Sequence, residues 1–303
     1  MAHSGGQRKS TRLRELLAAP VPLVAPCAYD CVSARIIEKA AFPIIMHGGY
    51  NSAASLLGIP DLGLISMTEM IYSARNMAAS VATPVMIDVD DGFGDLLNVT
   101  RTTSESIRAG LAGLYIEDQD FPKRSPSIGA NKVISIPAMT AKIKAIAGVA
   151  RDEDPDFVIM ARTHSSRVTG MADAVERSLA YAEAGADIIF VDLGYSEDVV
   201  MEELRIIIEQ IAAYVPCAAN MTENCGRPLL TTGELFGMGF KVILYPLTAL
   251  MTAAAALEST FAELGSQGTT RRITERMWPP TKFKRLIGAD DLLALRADLE
   301  KAG

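Results

Sequence analysis

Hydrophobic and polar positions alternate along this chain on the scale of whole segments. Short runs rich in Val and Ile are each followed by a polar turn, and then by a segment with the period of an amphipathic helix. Eight such runs occur, beginning at Pro22, Phe42, Pro84, Gly113, Asp156, Ala186, Pro216 and Lys241. The pattern therefore predicts eight strands that alternate with helices.

The segments between the runs predict the helices. The clearest helical stretches are Thr68–Ser80, Thr103–Ala109, Ala138–Val149, Ala172–Gly185, Ser196–Tyr214 and Thr232–Met238. Several end in the Ala-Gly or Met-Gly pairs that helix C-termini favour. A further helix, Arg12 to Ala18, is predicted before the first run.

Continuously apolar strands that alternate with helices indicate a parallel sheet covered by helices. Eight such units in about 250 residues match a (β/α)8 TIM-type barrel, which is an α/β fold. The competing architecture, a doubly wound open sheet, usually has a Gly-rich phosphate-binding turn after its first strand, and none follows Asp30. We expect residues 1–303 to form a single barrel domain, with residues 1–11 disordered and a helical tail from about 256 to 303.

Composition narrows the class of protein. The 303 residues are 49% hydrophobic and carry a formal net charge of −7 without a basic stripe, so nucleic acid and acidic membrane surfaces are poor candidate partners. The four cysteines show no zinc-binding spacing, which favours free thiols in a reducing compartment. No apolar run reaches the length of about 18 residues that a transmembrane helix needs. We expect a cytoplasmic protein.

Polar and ionisable side chains gather at the carboxyl ends of the predicted strands, where barrel enzymes build their active sites. Each of them alone is compatible with a turn residue or a helix N-cap, but chance placement at eight consecutive strands is a poor explanation. The set comprises Tyr29, Asp30, His47, Asp88, Asp90, Asp91, Glu117, Asp118, Arg162, His164, Asp192, Asn220, Glu223 and Tyr245.

The acids in this set predict a metal site. Asp88 and Asp90 lie two apart on one predicted strand and so point the same way, and Glu117 ends the next strand. Converging carboxylates repel each other unless a hard divalent cation such as Mg²⁺ joins them. Arg162 suits a substrate carboxylate or a salt bridge to one of the acids, and Lys123 on the loop after Glu117 adds a mobile positive charge. A small anionic substrate with several oxygen atoms, whose enolate is stabilised there, fits this set.

Several segments resemble the isocitrate lyase / phosphoenolpyruvate mutase superfamily, from about Leu23 to Ala255. They are PCAYDCVSAR, LGIPDLG, MIDVDDGFGD, GLYIEDQ, DFVIMART, YAEAGAD, ANMTE and ILYPL. Within the superfamily the chain is most similar to methylisocitrate lyase, dimethylmalate lyase and carboxyphosphoenolpyruvate mutase. The resemblance implies a barrel whose last helix is exchanged between subunits, commonly in a tetramer. We therefore expect a homo-oligomer, a dimer of helix-swapped dimers.

The resemblance also implies roles for the residues at matching positions. Asp88 corresponds to the direct ligand of Mg²⁺, or of Mn²⁺ in its place, and Lys123 to the first lysine of a gating loop. The acids that hold the metal and its waters are Asp61, Asp88, Asp90 and Glu117. The expected substrate-binding residues are Gly48, Gly49, Tyr50, Arg162 and Asn220. The expected catalytic residues are Lys123, Ser125, Arg162 and Asp192, together with His164 for the reason given next.

The loop after Glu117 departs from the family pattern. The lyases carry Lys-[Lys/Arg]-Cys-Gly-His there, whereas this chain reads KRSPS from Lys123 to Ser127. The thiol that donates a proton is thereby replaced by the Ser125 hydroxyl, which cannot shuttle a proton unaided at neutral pH. His47 and His164 are candidates for the missing acid, because histidine titrates in the useful range, although each can equally bond only a neighbouring loop. Cys225 is a further candidate.

The substrate end departs as well. The family's glycine-rich cradle reads Gly48-Gly49-Tyr50-Asn51, which introduces an aromatic ring, and Asp192 stands where the lyases have a glutamate one methylene longer. Leu250 and Met251 stand where members that cleave tricarboxylates carry an arginine. Substrate recognition is therefore expected to differ from that of the lyases.

These observations predict a Mg²⁺-dependent, lyase-type enzyme. We expect it to cleave or form a carbon–carbon bond of a small 2-hydroxy or 2-oxo carboxylic acid through an enolate-like intermediate. Decarboxylation or hydrolysis of an oxaloacetate-like acid, and phosphonate mutase chemistry, are alternative reactions. A non-catalytic relative that binds a metal and a ligand is the alternative of another class, and the intact acids count against it.

Overall fold

The predicted strands close into a parallel barrel in a computed structural model, which describes residues 7–123, 132–194 and 196–302. Each strand pairs with the next along the chain, and the last pairs with the first. The strands of the described residues are β1 (Leu23–Ala28), β2 (Ile45–His47), β3 (Val85–Asp88), β4 (Gly113–Glu117), β5 (Val158–Thr163), β6 (Ile188–Val191), β7 (Cys217–Asn220) and β8 (Val242–Tyr245). The predicted TIM-type α/β barrel is confirmed.

Helices connect the strands, and none of those in the described ranges is long and apolar enough to cross a membrane. They are α1 (Lys9–Ala18), α2 (Cys31–Lys39), α3 (Gly49–Ser52), α4 (Met67–Ser80), α5 (Leu96–Arg108), α6 (Ile136–Glu153), α7 (Met171–Glu183), α8 (Glu197–Gln210), α9 (Thr232–Met238), α10 (Thr248–Gln267), α11 (Pro280–Leu286) and α12 (Ala289–Ala302). Short turns of other helix types occupy Ala53–Leu57, Ser165–Arg167 and Thr274–Arg276.

Two helices begin at least three residues earlier than the sequence predicted. The helix α5 starts at Leu96 rather than Thr103, because the Asp95 side chain accepts hydrogen bonds from the first free backbone N–H groups. The helix α1 starts at Lys9, so residues 9–11 are not disordered as expected. Ser10 is buried there, and its hydroxyl lies 2.8 Å from Asp154 Oδ2, which anchors the first turn of α1.

The chain forms two compact units, Met1–Thr248 and Ala249–Gly303. The first contains the barrel. The second contains α10 beyond its first residue, α11 and α12, so the helical tail starts at 249 rather than at about 256.

Alternation along the strands separates the barrel interior from the layer under the helices. In β3, Val85 and Ile87 belong to the cluster that packs against the helices, whereas Met86 belongs to the interior cluster. Asp88 has the same parity as Met86 and therefore points inward at the carboxyl end of the strand. By the same rule, six side chains at or near the ends of their strands point into the barrel, namely Cys27, Asp88, Glu117, Arg162, Asp192 and Asn220.

Candidate active site

A cavity of about 260 Å³ lies at the carboxyl ends of the strands. Most residues predicted for the site line it, namely Gly48, Gly49, Tyr50, Asp61, Asp88, Glu117, Lys123, Arg162, Asp192 and Asn220. Asp90 and His164 are not among its described lining residues, but each contacts one that is. The strands thus bring the predicted set together at one pole of the barrel.

Asp88 and Asp90 meet through a turn and not through strand alternation. The strand β3 ends at Asp88, and Asp90 follows with a φ of 48°, in the left-handed region, so the prediction that both lie on the strand was wrong. The backbone N–H of Asp90 donates to Asp88 Oδ1 at 3.0 Å. A Cβ placed on Gly49 would lie 3.0 Å from Asp88 Oδ2 and 3.1 Å from Asp90 Oδ1, so the two carboxylates flank this glycine.

The carboxylate of Asp88 is held by neutral donors. Gly49 N donates to Oδ2 at 3.0 Å, and Tyr115 Oη donates to the same oxygen at 2.9 Å. Burial and the Asp88 charge raise the pKa of Tyr115 well above its ordinary value, so the phenol keeps its proton and remains a donor. Three hydrogen bonds, counting that from Asp90, fix Asp88 at the cavity wall.

Lys123 lies among the acids. Its Nζ is 3.0 Å from Asp61 Oδ1 and forms a closer ion pair with Asp90, and the residue is only 4% exposed. Burial lowers the pKa of Lys123, but the surrounding carboxylates outweigh it and raise the pKa well above the ordinary value. Lys123 is therefore a buried, paired cation in this structure, and the movement of its loop stays a prediction. Ser125 lies outside the described residues.

A second group of charges surrounds Arg162. Its Nη2 lies 3.1 Å from Asp192 Oδ1, its Nη1 lies 3.4 Å from Glu117 Oε2, and its guanidinium lies over the ring of Phe190 at 4.6 Å from the centroid. Its Nε is buried without a hydrogen-bond partner among the described residues. The guanidinium is thus fixed by two acids and one ring, and one N–H remains available to a ligand.

His164 bridges the same two acids from behind. Its Nε2 lies 2.8 Å from Glu117 Oε2, and its Nδ1 lies 3.5 Å from Asp192 Oδ2. Burial and the Arg162 charge lower the pKa of His164, but Glu117 and Asp192 outweigh them and raise it. Burial likewise acts against ionisation of Glu117, yet His164, Lys123 and Arg162 lower its pKa to about 2. Both partners are therefore held in their charged forms.

His47 lies on the other side of the barrel wall. It has the parity of Ile45, which packs against the helices, and its Nε2 lies 2.9 Å from Ser73 Oγ on α4. Burial lowers its pKa to about 4, so the ring is neutral at pH 7. Strand parity thus directs His47 away from the cavity.

Arg227 is a site residue whose role the sequence reasoning did not assign. It lines the cavity, its Nε donates to Gly194 O at 2.8 Å, and its Nη2 lies 3.5 Å from Asp192 Oδ1. Burial disfavours ionisation of Asp192, but the charges of Arg162, His164 and Arg227 outweigh it and depress its pKa well below the ordinary range. None of the motifs quoted in the sequence analysis includes Arg227, so no local signal marked it.

Comparison with known proteins gives a consistent picture. The family model described as phosphoenolpyruvate phosphomutase matches residues 13–265. The chain is 37% identical over 283 residues to 2,3-dimethylmalate lyase of Eubacterium barkeri, which covers 93% of this chain and 95% of that protein. It is also 37% identical to 2-methylisocitrate lyase of Halalkalibacterium halodurans, over 96% of this chain and 93% of that protein.

Solved structures share the whole fold. Oxaloacetate acetylhydrolase in complex with the inhibitor 3,3-difluorooxalacetate superimposes with a TM-score of 0.88 at 29% identity, covering 98% of this chain and 99% of the other. Phosphonopyruvate hydrolase in complex with oxalate and Mg²⁺ superimposes with a TM-score of 0.86 at 26% identity, covering 96% and 99%. Both neighbours are named as hydrolases of different acids, and both share the fold of this chain.

Proposed function

Because the chain belongs to the phosphoenolpyruvate phosphomutase family, whose model matches residues 13–265, we propose that it is a Mg²⁺-dependent lyase acting on a small 2-hydroxy or 2-oxo carboxylic acid. The superfamily predicted from the sequence and the lyase-type enzyme class are confirmed by the curated relatives. The observation that carries the proposal is the convergence of Asp61, Asp88, Glu117, Lys123 and Arg162 on one cavity.

The acids suit a hard divalent cation. Asp61, Asp88 and Glu117 offer carboxylate oxygens to one cavity, and Asp90 lies behind Asp88. As the described residues stand, no three His, Cys, Asp or Glu side chains are grouped to hold a metal, and the ammonium of Lys123 lies among the acids instead. A group of carboxylates that stabilises a buried ammonium group also has the negative charge that Mg²⁺ requires. When bound, Mg²⁺ supplies Lewis-acid stabilisation of an enolate oxygen.

Arg162 is the proposed carboxylate-binding residue. Glu117, Asp192 and Phe190 fix its plane, and its Nε–H has no partner among the described residues. A ligand carboxylate or oxo group can accept this hydrogen bond without displacing either ion pair. The guanidinium is therefore preorganised for an anion.

Proton transfer is assigned to residues in two different roles. We propose that Ser125 occupies the position of the proton donor, with a hydroxyl that limits the rate because of its high pKa. His164 is a positioning residue, because it holds Glu117 and Asp192 and through them Arg162. Replacing Ser125 with Cys is then expected to accelerate a proton-limited reaction.

Hydrolysis of an oxaloacetate-like acid is the second candidate. The observation in its favour is the likeness to oxaloacetate acetylhydrolase over almost the whole chain, at a TM-score of 0.88. Both candidates require the same metal and the same enolate stabilisation, and they differ in whether water attacks a carbonyl group. Product analysis separates them.

The experiment is a turnover screen by NMR over 2-hydroxy and 2-oxo acids, with and without Mg²⁺. Asp88→Asn is expected to lower kcat/KM by about a hundredfold or more, because it removes the carboxylate charge that three hydrogen bonds aim at the metal site. The matched control is Asp152→Asn, whose side chain is 81% exposed on α6 and which is expected to retain full activity. Turnover that is equal in both variants contradicts the proposal.

A non-catalytic relative makes a different prediction for the same screen. It binds Mg²⁺ in an Asp88-dependent manner but turns over no acid, and Ser125→Cys restores nothing. Turnover by the unmodified chain excludes that alternative.

We also propose that the chain forms a homo-oligomer, a dimer of helix-swapped dimers. What supports it is the exposed apolar surface of the second unit, whose large hydrophobic side chains include Leu257, Phe261, Leu264, Trp278, Phe283, Leu292, Leu293 and Leu299. Apolar surface of this extent commonly marks a protein interface. A cytoplasmic location remains part of this proposal.

A further inference from the structure

The mouth of the barrel is divided into a charged half and a neutral half. The neighbouring strands β3 to β6 contribute Asp88, Glu117, Arg162 and Asp192 to the cavity. The ends of the other four strands contribute groups without charge, namely Asn220 at the end of β7, Pro246 and Leu247 after β8, Cys27 on β1 and Gly48–Asn51 after β2. Three charged residues, Asp61, Glu223 and Arg227, reach the cavity from the loops that follow β2 and β7. Since each set spans four consecutive strands of a closed barrel, the two halves face each other across one cavity.

Asn51 carries a buried oxygen that needs a donor. The residue is 1% exposed, its Nδ2 donates to Pro246 O at 2.9 Å, and its Oδ1 has no hydrogen-bond partner among the described residues. A backbone carbonyl only accepts, so the amide is fixed with its nitrogen toward Pro246 and its oxygen left over. Buried polar atoms are normally paired, and Asn51 lines the cavity. The missing donor therefore belongs to a ligand.

Asn220, the last residue of β7, also has a side-chain oxygen that is unpaired among the described residues. Its Oδ1 is also buried without a partner in the described part of the chain, and it lines the same cavity. Both orphaned oxygens belong to the neutral half. Because Pro246 fixes the Asn51 amide, its acceptor without a donor indicates a ligand group that donates, such as a hydroxyl, and not one that only accepts, such as a carboxylate.

The charges around the neutral half oppose a second carboxylate. Glu223 lines this part of the cavity, and its Oε2 accepts a hydrogen bond from Leu247 N at 3.3 Å. An anionic group placed here is therefore disfavoured.

The cationic side chains that line the cavity are each paired with acids. Lys123 pairs with Asp61 and Asp90, Arg162 pairs with Glu117 and Asp192, and Arg227 pairs with Asp192. Among the described lining residues, no further lysine or arginine is present. Arg227 follows β7 in the chain, but its guanidinium lies against Asp192 of the charged half. Positive charge is thus concentrated at the charged half, where it serves one anionic head.

We propose that the substrate is a 2-oxo or 2-hydroxy monocarboxylate with an uncharged tail whose hydroxyl group donates a hydrogen bond to Asn51 Oδ1. The inference rests on the proposed function and specifies its substrate class. The carboxylate faces Arg162, while Cys27, Pro246 and Leu247 contact the carbon chain. A dicarboxylate is excluded from this pose because its second charge meets Glu223.

The test uses three ligands of equal chain length that differ only at their fourth carbon. They are 2-hydroxybutanoate, 2,4-dihydroxybutanoate and malate of matching configuration at the second carbon, which present a methyl, a hydroxymethyl and a carboxylate group. Dissociation constants are measured by calorimetry on the full chain with Mg²⁺. We expect the dihydroxy acid to bind about fivefold more tightly than 2-hydroxybutanoate, the size of one net hydrogen bond, and malate to bind most weakly.

Two variants locate the effect. Asn51→Ala is expected to remove the fivefold preference and to leave the affinity for 2-hydroxybutanoate within about twofold. Glu223→Gln is expected to tighten the binding of malate alone. If malate binds most tightly to the unmodified chain, the inference is overturned without any variant. It is also overturned if Asn51→Ala weakens the affinity for all three ligands by the same factor.

Oxalate separates this inference from the function on which it rests. Oxalate has no tail, so its binding tests only the proposed role of the charged half. That role is supported if oxalate binds in a Mg²⁺-dependent manner and if Asp88→Asn abolishes the binding. If oxalate binds in this way and the ranking of the three acids is reversed, only the tail assignment fails. If oxalate does not bind, the proposed function fails and the tail assignment fails with it.

Discussion

At the residue scale, Asp88 accepts hydrogen bonds from Gly49 N, Asp90 N and Tyr115 Oη, so its carboxylate cannot turn away from the cavity. The phenol is the one side-chain donor among these three. Groups that orient a metal ligand in this way tune its affinity almost as strongly as the ligand itself. The site therefore depends on a residue to which the sequence analysis assigned no role.

Removing the Tyr115 hydroxyl tests this dependence. Tyr115→Phe is expected to weaken Mg²⁺ binding by about tenfold, because Asp88 loses one of the bonds that orient it. Tyr214→Phe is the matched control, since Tyr214 is 75% exposed. The measurement is a calorimetric Mg²⁺ titration, and an unchanged dissociation constant in Tyr115→Phe would show that the phenol does not support the site.

His47 predicts the pH dependence of stability. Its pKa is about 4 in the folded chain against 6.5 in the unfolded chain, so as the pH falls the unfolded state binds the proton first and stability is lost. Between pH 7.5 and pH 5 this residue is expected to remove about 2 kcal/mol from the free energy of unfolding. Urea denaturation of the unmodified chain and of His47→Gln at both pH values measures it. Equal losses in the two proteins would refute it.

At the element scale, the barrel depends on the close approach of β4 and β5. Gly113 pairs with Val158, and a Cβ at Gly113 would lie 2.4 Å from the carbonyl oxygen of Val158. Only glycine fits there, because a methyl group has to displace backbone. The position also precedes Tyr115 and Glu117 on the same strand, so a shift of β4 would move both site residues.

Gly113→Ala is expected to destabilise the chain by about 1–3 kcal/mol through overpacking. Gly148→Ala is the matched control, because Gly148 lies inside α6 with its nearest obstacle, Arg151 Nη2, at 3.7 Å. That substitution is expected to stabilise by about 0.5–1 kcal/mol through helix propensity. Denaturant unfolding gives the free energy of unfolding of both variants. Equal changes in this free energy would contradict the packing argument.

At the scale of the whole molecule, the two compact units differ in how they bury apolar side chains. The first unit has a continuous core between the sheet and its helices. In the second unit, α10 has no buried residue, and α12 exposes Leu293 and Leu299 to 63% and 64%. Side chains of this kind are normally covered, which is the basis of the proposed oligomer.

The double substitution Leu293→Glu and Leu299→Glu is expected to convert the oligomer into smaller species, because buried charges oppose association. Leu97→Glu is the control, since Leu97 is 77% exposed on the first unit. Light scattering after size-exclusion chromatography gives the molar mass of each protein. An unmodified chain that is monomeric would overturn the proposed assembly.

The sequence by itself determined the order of strands and helices, the barrel and the family. Each of these follows from local information: continuous apolar runs, their period, and motifs of fixed spacing such as MIDVDDGFGD and GLYIEDQ. It also identified ten of the twenty-one described residues that line the cavity, in part because inward-pointing residues at strand ends follow from a two-residue alternation. It did not assign Tyr115 or Arg227 to the site.

The tertiary structure decided where charges pair and which groups remain unpaired. The burial of Lys123 between Asp61 and Asp90 and the hydrogen bond between His47 and Ser73 depend on contacts between elements far apart in the chain. So does the orphaned oxygen of Asn51, which results from a hydrogen bond to Pro246 across the barrel mouth. Hydrogen-bond satisfaction and burial are properties of the packed molecule, and no spacing along the chain encodes them.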